Sequence, residues 1–339
     1  MVINGQPIVP GSRAILELPL PQLYTHTPMT MPVHVVNGRQ DGPRLFVSAA
    51  IHGDELNGME IVRRLLKPTV IKRLRGTLLA IPIVNVYGVL QHSRYLPDRR
   101  DLNRAFPGSE RGSLASRLAD LFMREIVAKC THGIDLHTGR LHRANLPQVR
   151  ANLDDPETRR LAKAFGVPVL INANVRDGSL REAAAEHGIS MLLYEAGEAL
   201  RFDEISIRAG LQGVLNVMWA LDMLPGRSRG HEQPPAEPFV ARSSTWVRAP
   251  ESGILRTATP LGARAMRGAV LGVVADPFGE KETEVLAPLS GVIIGRTQIP
   301  LVHEGEALFH IARFEDAREV AEQVEMFHST QAEGIDPDS

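Results

Sequence analysis

From residue 44 to about 222, short apolar runs alternate with stretches of helical period, the pattern of a sheet covered by helices on both faces. Arg44-Leu-Phe-Val-Ser-Ala-Ala-Ile51 reads as a buried strand, and Asp54 to Leu66 carries Leu56, Met59, Val62 and Leu66 at helical spacing. Further strands are predicted at Thr77 to Val84, Gly133 to His137, Val167 to Ile171 and Ile189 to Glu195. Helices are predicted near Ser113 to Lys129, Glu157 to Phe165, Ser179 to His187 and Asp203 to Leu221. The fold class that follows is α/β.

The alternation stops at Pro225. Residues 225–240 begin Pro-Gly-Arg-Ser-Arg-Gly and continue polar and proline-rich, which predicts a linker between a body spanning 1–224, with a β-rich lead-in over 1–40, and a second unit over 241–313. In that unit Ala249-Pro-Glu-Ser-Gly-Ile-Leu255 recurs as Ala287-Pro-Leu-Ser-Gly-Val-Ile293, and Gly268-Ala-Val-Leu271 recurs as Gly305-Glu-Ala-Leu308. Two halves, each joining a Pro/Gly turn to short β-type runs, predict a small duplicated β sandwich or barrel. Residues 314–339 are acidic and predict a helix followed by a frayed tail.

Composition narrows the partners. A formal net charge of -1, with 23% charged residues and 5% aromatics, leaves no electrostatic footprint for nucleic acid and no polybasic face for a membrane. Small molecules or short peptides are the expected partners, and the β unit is a candidate surface for homo-oligomerisation. Cys130 is the single cysteine, and the first residues lack a charged and then apolar leader, so a cytoplasmic location is expected. No apolar stretch approaches the roughly 20 residues needed to cross a bilayer.

His52-Gly-Asp-Glu55 sets an imidazole and a carboxylate three residues apart where a strand gives way to a helix, so both can reach one ion. Such a pair alone is common on surfaces. His137, in Gly133-Ile-Asp-Leu-His-Thr-Gly139, is the third candidate ligand, at the end of another strand where open α/β sheets place their sites. Asp135, two residues earlier on the same strand face, reads equally as a partner for a ligating histidine and as a strand-end turn former. Between the ligands, Arg94-Tyr-Leu-Pro-Asp-Arg-Arg-Asp-Leu-Asn-Arg-Ala-Phe-Pro-Gly108 is too polar for a core and reads as a recognition loop. Asn103 with Arg104 would clamp a carboxylate; the plainer alternative is an arginine paired at the surface to Asp98 or Asp101. Cys130 has no evident activating partner and reads as a small buried apolar residue.

Four motifs then make the reading specific: His52-Gly-Asp-Glu-Leu-Asn-Gly58, Asp101-Leu-Asn-Arg-Ala-Phe-Pro-Gly108, Asp135-Leu-His-Thr-Gly139 and Glu195-Ala-Gly197. Their order resembles that of the succinylglutamate desuccinylase/aspartoacylase family, relatives of the zinc carboxypeptidases, over roughly residues 30 to 222. The duplicated unit resembles the lipoyl-like, barrel-sandwich domain appended in many members. The resemblance implies a zinc-carboxypeptidase-like α/β/α sandwich with a mixed sheet, and one zinc ion per chain on His52, Glu55 and His137. It further implies that Asn103 and Arg104 hold the substrate carboxylate, that Arg94 polarises the scissile carbonyl, with Arg99 or Arg100 as substitutes, and that Glu195 is the general base, with Glu198 its competitor.

The activity implied is hydrolysis of the amide bond of an N-acyl amino acid or similar carboxylate-bearing amide, not a peptide bond by preference. Two alternatives stand beside it: a metallocarboxypeptidase acting on short peptides or γ-glutamyl chains, and a non-catalytic module that binds an anionic metabolite. His92 and His142 are read as surface or loop residues, and Lys281 as part of a charged loop rather than a carrier lysine; Arg181, at the start of a helix before Glu195, is within reach of substrate but does not align with the family's arginine there and is left out of the site.

Overall fold

In the computed structural model, the described residues are 1–67, 69, 71, 73–173, 177–225 and 237–333. Most of the predicted linker and the last six residues of the chain lie outside them. A large mixed sheet forms the body. Its centre is four parallel strands in the spatial order Thr77–Ile81, Arg44–Ala49, His132–His137 and Ser190–Gly197. Antiparallel strands continue it on both sides, Thr30–Asn37 and Arg13–Pro19 on one, and Arg143–Ala151 on the other. The α/β class and the mixed sheet are as the sequence predicts.

Alternate side chains of the central strands feed two cores, as a sheet buried on both faces requires. Leu45, Val47, Leu78 and Ala80 pack with helices Asn57–Leu65, Pro156–Phe165 and Glu204–Ala220. Phe46, Leu79 and Ile81 pack on the opposite face with helices Leu114–Glu125 and Leu180–Glu186. The helices begin where polar residues accept a backbone N–H: Ser113, Asp155 ahead of Pro156, Ser179 and Asp203 all cap in this way. The first helix starts at Asn57, later than its apolar periodicity predicts, because residues 50–56 are bent into a loop by Ala50, whose φ is 53°.

The C-terminal strands join this sheet. Gly291–Thr297 pairs antiparallel with Arg143–Ala151, and Ala307–Arg313 and Ser243–Arg248 follow outward. Phe239–Ala241, at the end of the predicted linker, pairs in parallel with Val169–Asn172 of the body. A separate four-stranded antiparallel sheet, Glu282–Leu286, Val270–Ala275, Gly253–Thr257 and Leu301–Val302, covers the extension, and Leu255, Val274, Ile293 and Phe309 fill the core between them. The two sequence repeats exchange backbone bonds: Gly305 N–H donates to Ala249 O, and Gly268 N–H donates to Ala287 O. The acidic segment forms the helix Ala317–Ala332. Among the described residues no helix is long and apolar enough to cross a membrane.

Candidate active site

The candidate residues gather at the carboxyl ends of the central strands. The loop after Arg44–Ala49 closes a turn in which Glu55 N–H donates to His52 O at 3.1 Å, so the two side chains three positions apart converge. Gly53 lets this loop lie against the neighbouring one, since a Cβ there would sit 2.0 Å from the Gly88 carbonyl carbon. His137 ends its own strand and faces Glu55 from the side.

His52 Nδ1 lies 2.7 Å from Glu55 Oε1, and His137 Nδ1 lies 2.7 Å from Glu55 Oε2. One ligand atom from each of the three residues falls within 4.8 Å of the others, and none of the three residues is more than 5% exposed. The second nitrogen of each ring is fixed by a carboxylate: His52 Nε2 is 3.1 Å from Asp101 Oδ1, and His137 Nε2 is 2.6 Å from Asp135 Oδ2. Ser48 Oγ in turn donates to Asp135 Oδ1 at 2.8 Å. This places Asp135 in the role of histidine partner rather than turn former.

The electrostatics favour a cation at the centre. Burial pushes the Glu55 carboxyl up, but His52 and then His137 outweigh it and hold Glu55 well below the usual carboxylate range. Burial opposes charge on His137, yet Asp135 and Glu55 beside it raise the imidazole well above its ordinary value. Two converging imidazole nitrogens, a buried carboxylate and two carboxylates orienting the rings from behind are the donor set of a catalytic metal centre, so the residues fit a divalent ion.

Asp101 was legible only as a surface partner for arginine, and the structure gives it a larger part. Besides His52, it accepts from Arg94 Nη2 at 2.9 Å and Nε at 3.2 Å, and from Asn103 N–H at 2.9 Å. Burial raises its carboxyl, but the His52 bond and the Arg94 charge outweigh that and hold it well down. Arg94 also donates to Glu55 Oε1 at 3.2 Å. Arg99 and Arg100 are exposed on the tip of the same loop, outside the cavity, while Asp98 accepts from Ala115 N–H at 3.2 Å at the start of a helix.

A cavity of about 430 Å³ opens on the cluster, lined by His52, Glu55, Arg94, Asn103, Arg104, His137 and Glu195. Every site residue predicted from the sequence therefore reaches one space. Asn103 Oδ1 accepts from Leu180 N–H at 2.9 Å, which leaves its amide nitrogen as the donor. Glu195 stands opposite His137 in the adjacent parallel strand, whereas Glu198 is outside the cavity and accepts from His142 N–H at 3.1 Å. His92 and His142 are exposed and do not line the cavity. Cys130 is buried, and its thiol is pushed up to about 12 by that burial.

Arg140, Arg150, Arg181 and Ser244 also line the cavity; sequence reasoning missed three of them and set Arg181 aside. Arg181 carried the clearest signal, in the first turn of a helix capped by Ser179. Ser244 comes from the C-terminal strand Ser243–Arg248, so that region supplies part of the wall.

Residues 41–221 match the succinylglutamate desuccinylase/aspartoacylase catalytic domain. The chain belongs to this family. It is an amide-bond hydrolase carrying the family's buried His-Glu-His triad. A curated relative, the N-alpha-acetyl-L-2,4-diaminobutyric acid deacetylase of Halomonas elongata, is 28% identical over 292 residues, covering 83% of this chain and 85% of its own. The product-bound ectoine utilization protein EutE (DoeB) of Ruegeria pomeroyi is similar in fold, with a TM-score of 0.81 at 24% identity, covering 91% of this chain and 98% of that one. A succinylglutamate desuccinylase/aspartoacylase of Rhodobacter sphaeroides matches with a TM-score of 0.78 at 24% identity, covering 89% and 96%.

Proposed function

We propose that the protein is a zinc-dependent deacylase that hydrolyses the amide bond of a small N-acyl amino acid to an amine and a carboxylate. The observation that carries this reading is one cavity containing both the His52–Glu55–His137 cluster and a second carboxylate, Glu195, on the strand next to His137. His52, Glu55 and His137 would hold the ion. Bound there, zinc would supply Lewis acidity, which lowers the pKa of a water toward about 7.

The chain's own residues divide the remaining work. Glu195 takes a proton from the attacking water and returns it to the leaving nitrogen. Arg94, oriented by Asp101, meets negative charge that develops on the carbonyl oxygen only as the reaction proceeds. Asn103, through its amide nitrogen, and Arg104 hold the substrate carboxylate and so fix the register of the amide. A cavity of about 430 Å³ suits a small ligand and favours a deacylase over an enzyme of long peptides. The activity named for the Halomonas elongata relative also supports a deacylase.

The test is amine release from N-acetyl and N-succinyl amino acids, N-acetyl-2,4-diaminobutyrate and short peptides, run on protein of known metal content. Turnover of an acyl amino acid, lost on chelation and restored by zinc, is expected. Preference for peptides would favour a carboxypeptidase, and saturation by ligand without amine release would favour a binding module.

A further inference from the structure

We infer that Arg150 and Asn145 form a cradle that positions Glu195 for proton transfer, an inference that rests on Glu195 being the base. Both oxygens of Glu195 are held by one neighbouring strand, Arg143–Ala151. Asn145 Nδ2 donates to Oε1 at 3.0 Å, and Arg150 Nε forms an ion pair with Oε2 at 2.7 Å, without the alignment of a hydrogen bond.

Residues 145 and 150 are of opposite parity, so on a regular strand they would point to opposite faces. The register shows how they come to share one. Leu193, Tyr194 and Glu195 pair with Arg150, Val149 and Gln148, but Gly197 then pairs with Asn145 rather than with Leu146. One extra residue is accommodated at Leu146-Pro147, opposite Ala196. A bulge re-aims the side chains beyond it, and proline, which has no N–H to give to a ladder, is tolerated there. The bulge turns Asn145 onto the cavity face beside Arg150.

The far side of the strand is shaped to match. Gly295, in Gly291–Thr297, pairs with Asn145, and a Cβ there would lie 2.7 Å from Asn145 Oδ1. A C-terminal strand thus leaves room for the amide that holds the base. Ile171, Ala173 and Leu193 line the same cavity and bound the space with carbon. Arg150 and Glu195 are 22% and 19% exposed at the side chain, so the pair is partly desolvated and its geometry matters more than in a surface ion pair.

Arg150 lines the cavity, yet its contact and that of Asn145 are with the Glu195 carboxylate, so both are assigned as positioning residues that act through it. Orientation of a general base acts on turnover and not on substrate binding, so Arg150→Gln is expected to lower kcat roughly 10- to 100-fold, part of what a general base contributes, with KM and bound metal unchanged. Arg150→Lys recovers part of the loss, and free guanidinium recovers part of it in Arg150→Ala. Asn145→Ala and Gly295→Ala give smaller losses of the same kind.

The experiment is a double-mutant cycle of Arg150→Gln and Glu195→Gln, reading kcat, KM, zinc content and melting temperature in each variant. The inference predicts that Arg150→Gln costs little further kcat once Glu195 is replaced. It is overturned if the two losses multiply, if Arg150→Gln raises KM at constant kcat, or if Arg150→Gln loses metal or melts early while Arg150→Lys and guanidinium restore nothing. Full activity in Glu195→Gln alone would instead remove the base reading on which the cradle depends.

Discussion

The end of the cavity with the His-Glu-His triad and the end with the proposed base, Glu195, lie on adjacent strands and are built differently. At the triad end, a tight loop and a strand terminus supply all three candidate ligands, and each imidazole is locked from behind by a carboxylate, the buried Asp135 for His137 and the half-buried Asp101 for His52. At the other end, Glu195 is held by a bulged antiparallel strand from outside the parallel centre, and that strand is backed by the C-terminal extension. The first arrangement is local and closed. The second depends on distant parts of the chain meeting in one register.

The sharpest way to break this comparison is to remove one group from each end. Glu55→Gln or His137→Ala is expected to abolish both zinc binding and turnover, measured by metal analysis and amine release. Glu195→Gln should keep its zinc while kcat falls by about 10²- to 10⁴-fold. Loss of metal from Glu195→Gln would show that the two ends are a single unit.

Smaller changes sharpen it. Asp101→Asn and Asp135→Asn are each expected to weaken zinc about 10- to 100-fold in a competition titration with a chelator. Asp101→Asn should also raise KM, because the same carboxylate holds the Asn103 backbone, and lower kcat further, because it orients Arg94; Asp135→Asn should leave KM unchanged. Ser48→Ala has the least effect, about 1 kcal/mol of unfolding stability from one buried hydrogen bond, with KM unchanged.

The same contrast explains what the sequence makes legible. His52 and Glu55 are three residues apart, His137 ends an apolar run, and Asn103-Arg104 and Glu195 sit in short motifs, so each candidate carries its signal within a few positions of itself. Asp101 lies in such a motif too, but its three partners are 49, 7 and 2 residues away, and only the folded loops show that one carboxylate serves them all. The strand Arg143–Ala151 was missed outright. Its Arg-Ala-Asn-Leu-Pro-Gln-Val-Arg run breaks strand alternation with a proline, and the bulge that causes the break also makes Asn145 and Arg150 neighbours. Joining the C-terminal strands to the main sheet was equally invisible, because Gly295 and Asn145, which pair, lie far apart along the chain. Helix positions came through because capping residues and apolar period are local properties.

The most direct test of the central claim is a zinc titration of metal-stripped protein, following bound metal and acyl amino acid hydrolysis in the same samples. Both are predicted to rise together and saturate at one ion per chain in the wild type, while Glu195→Gln binds the ion with the same stoichiometry and stays inactive. Full hydrolysis by the stripped wild type before any zinc is added would contradict the account.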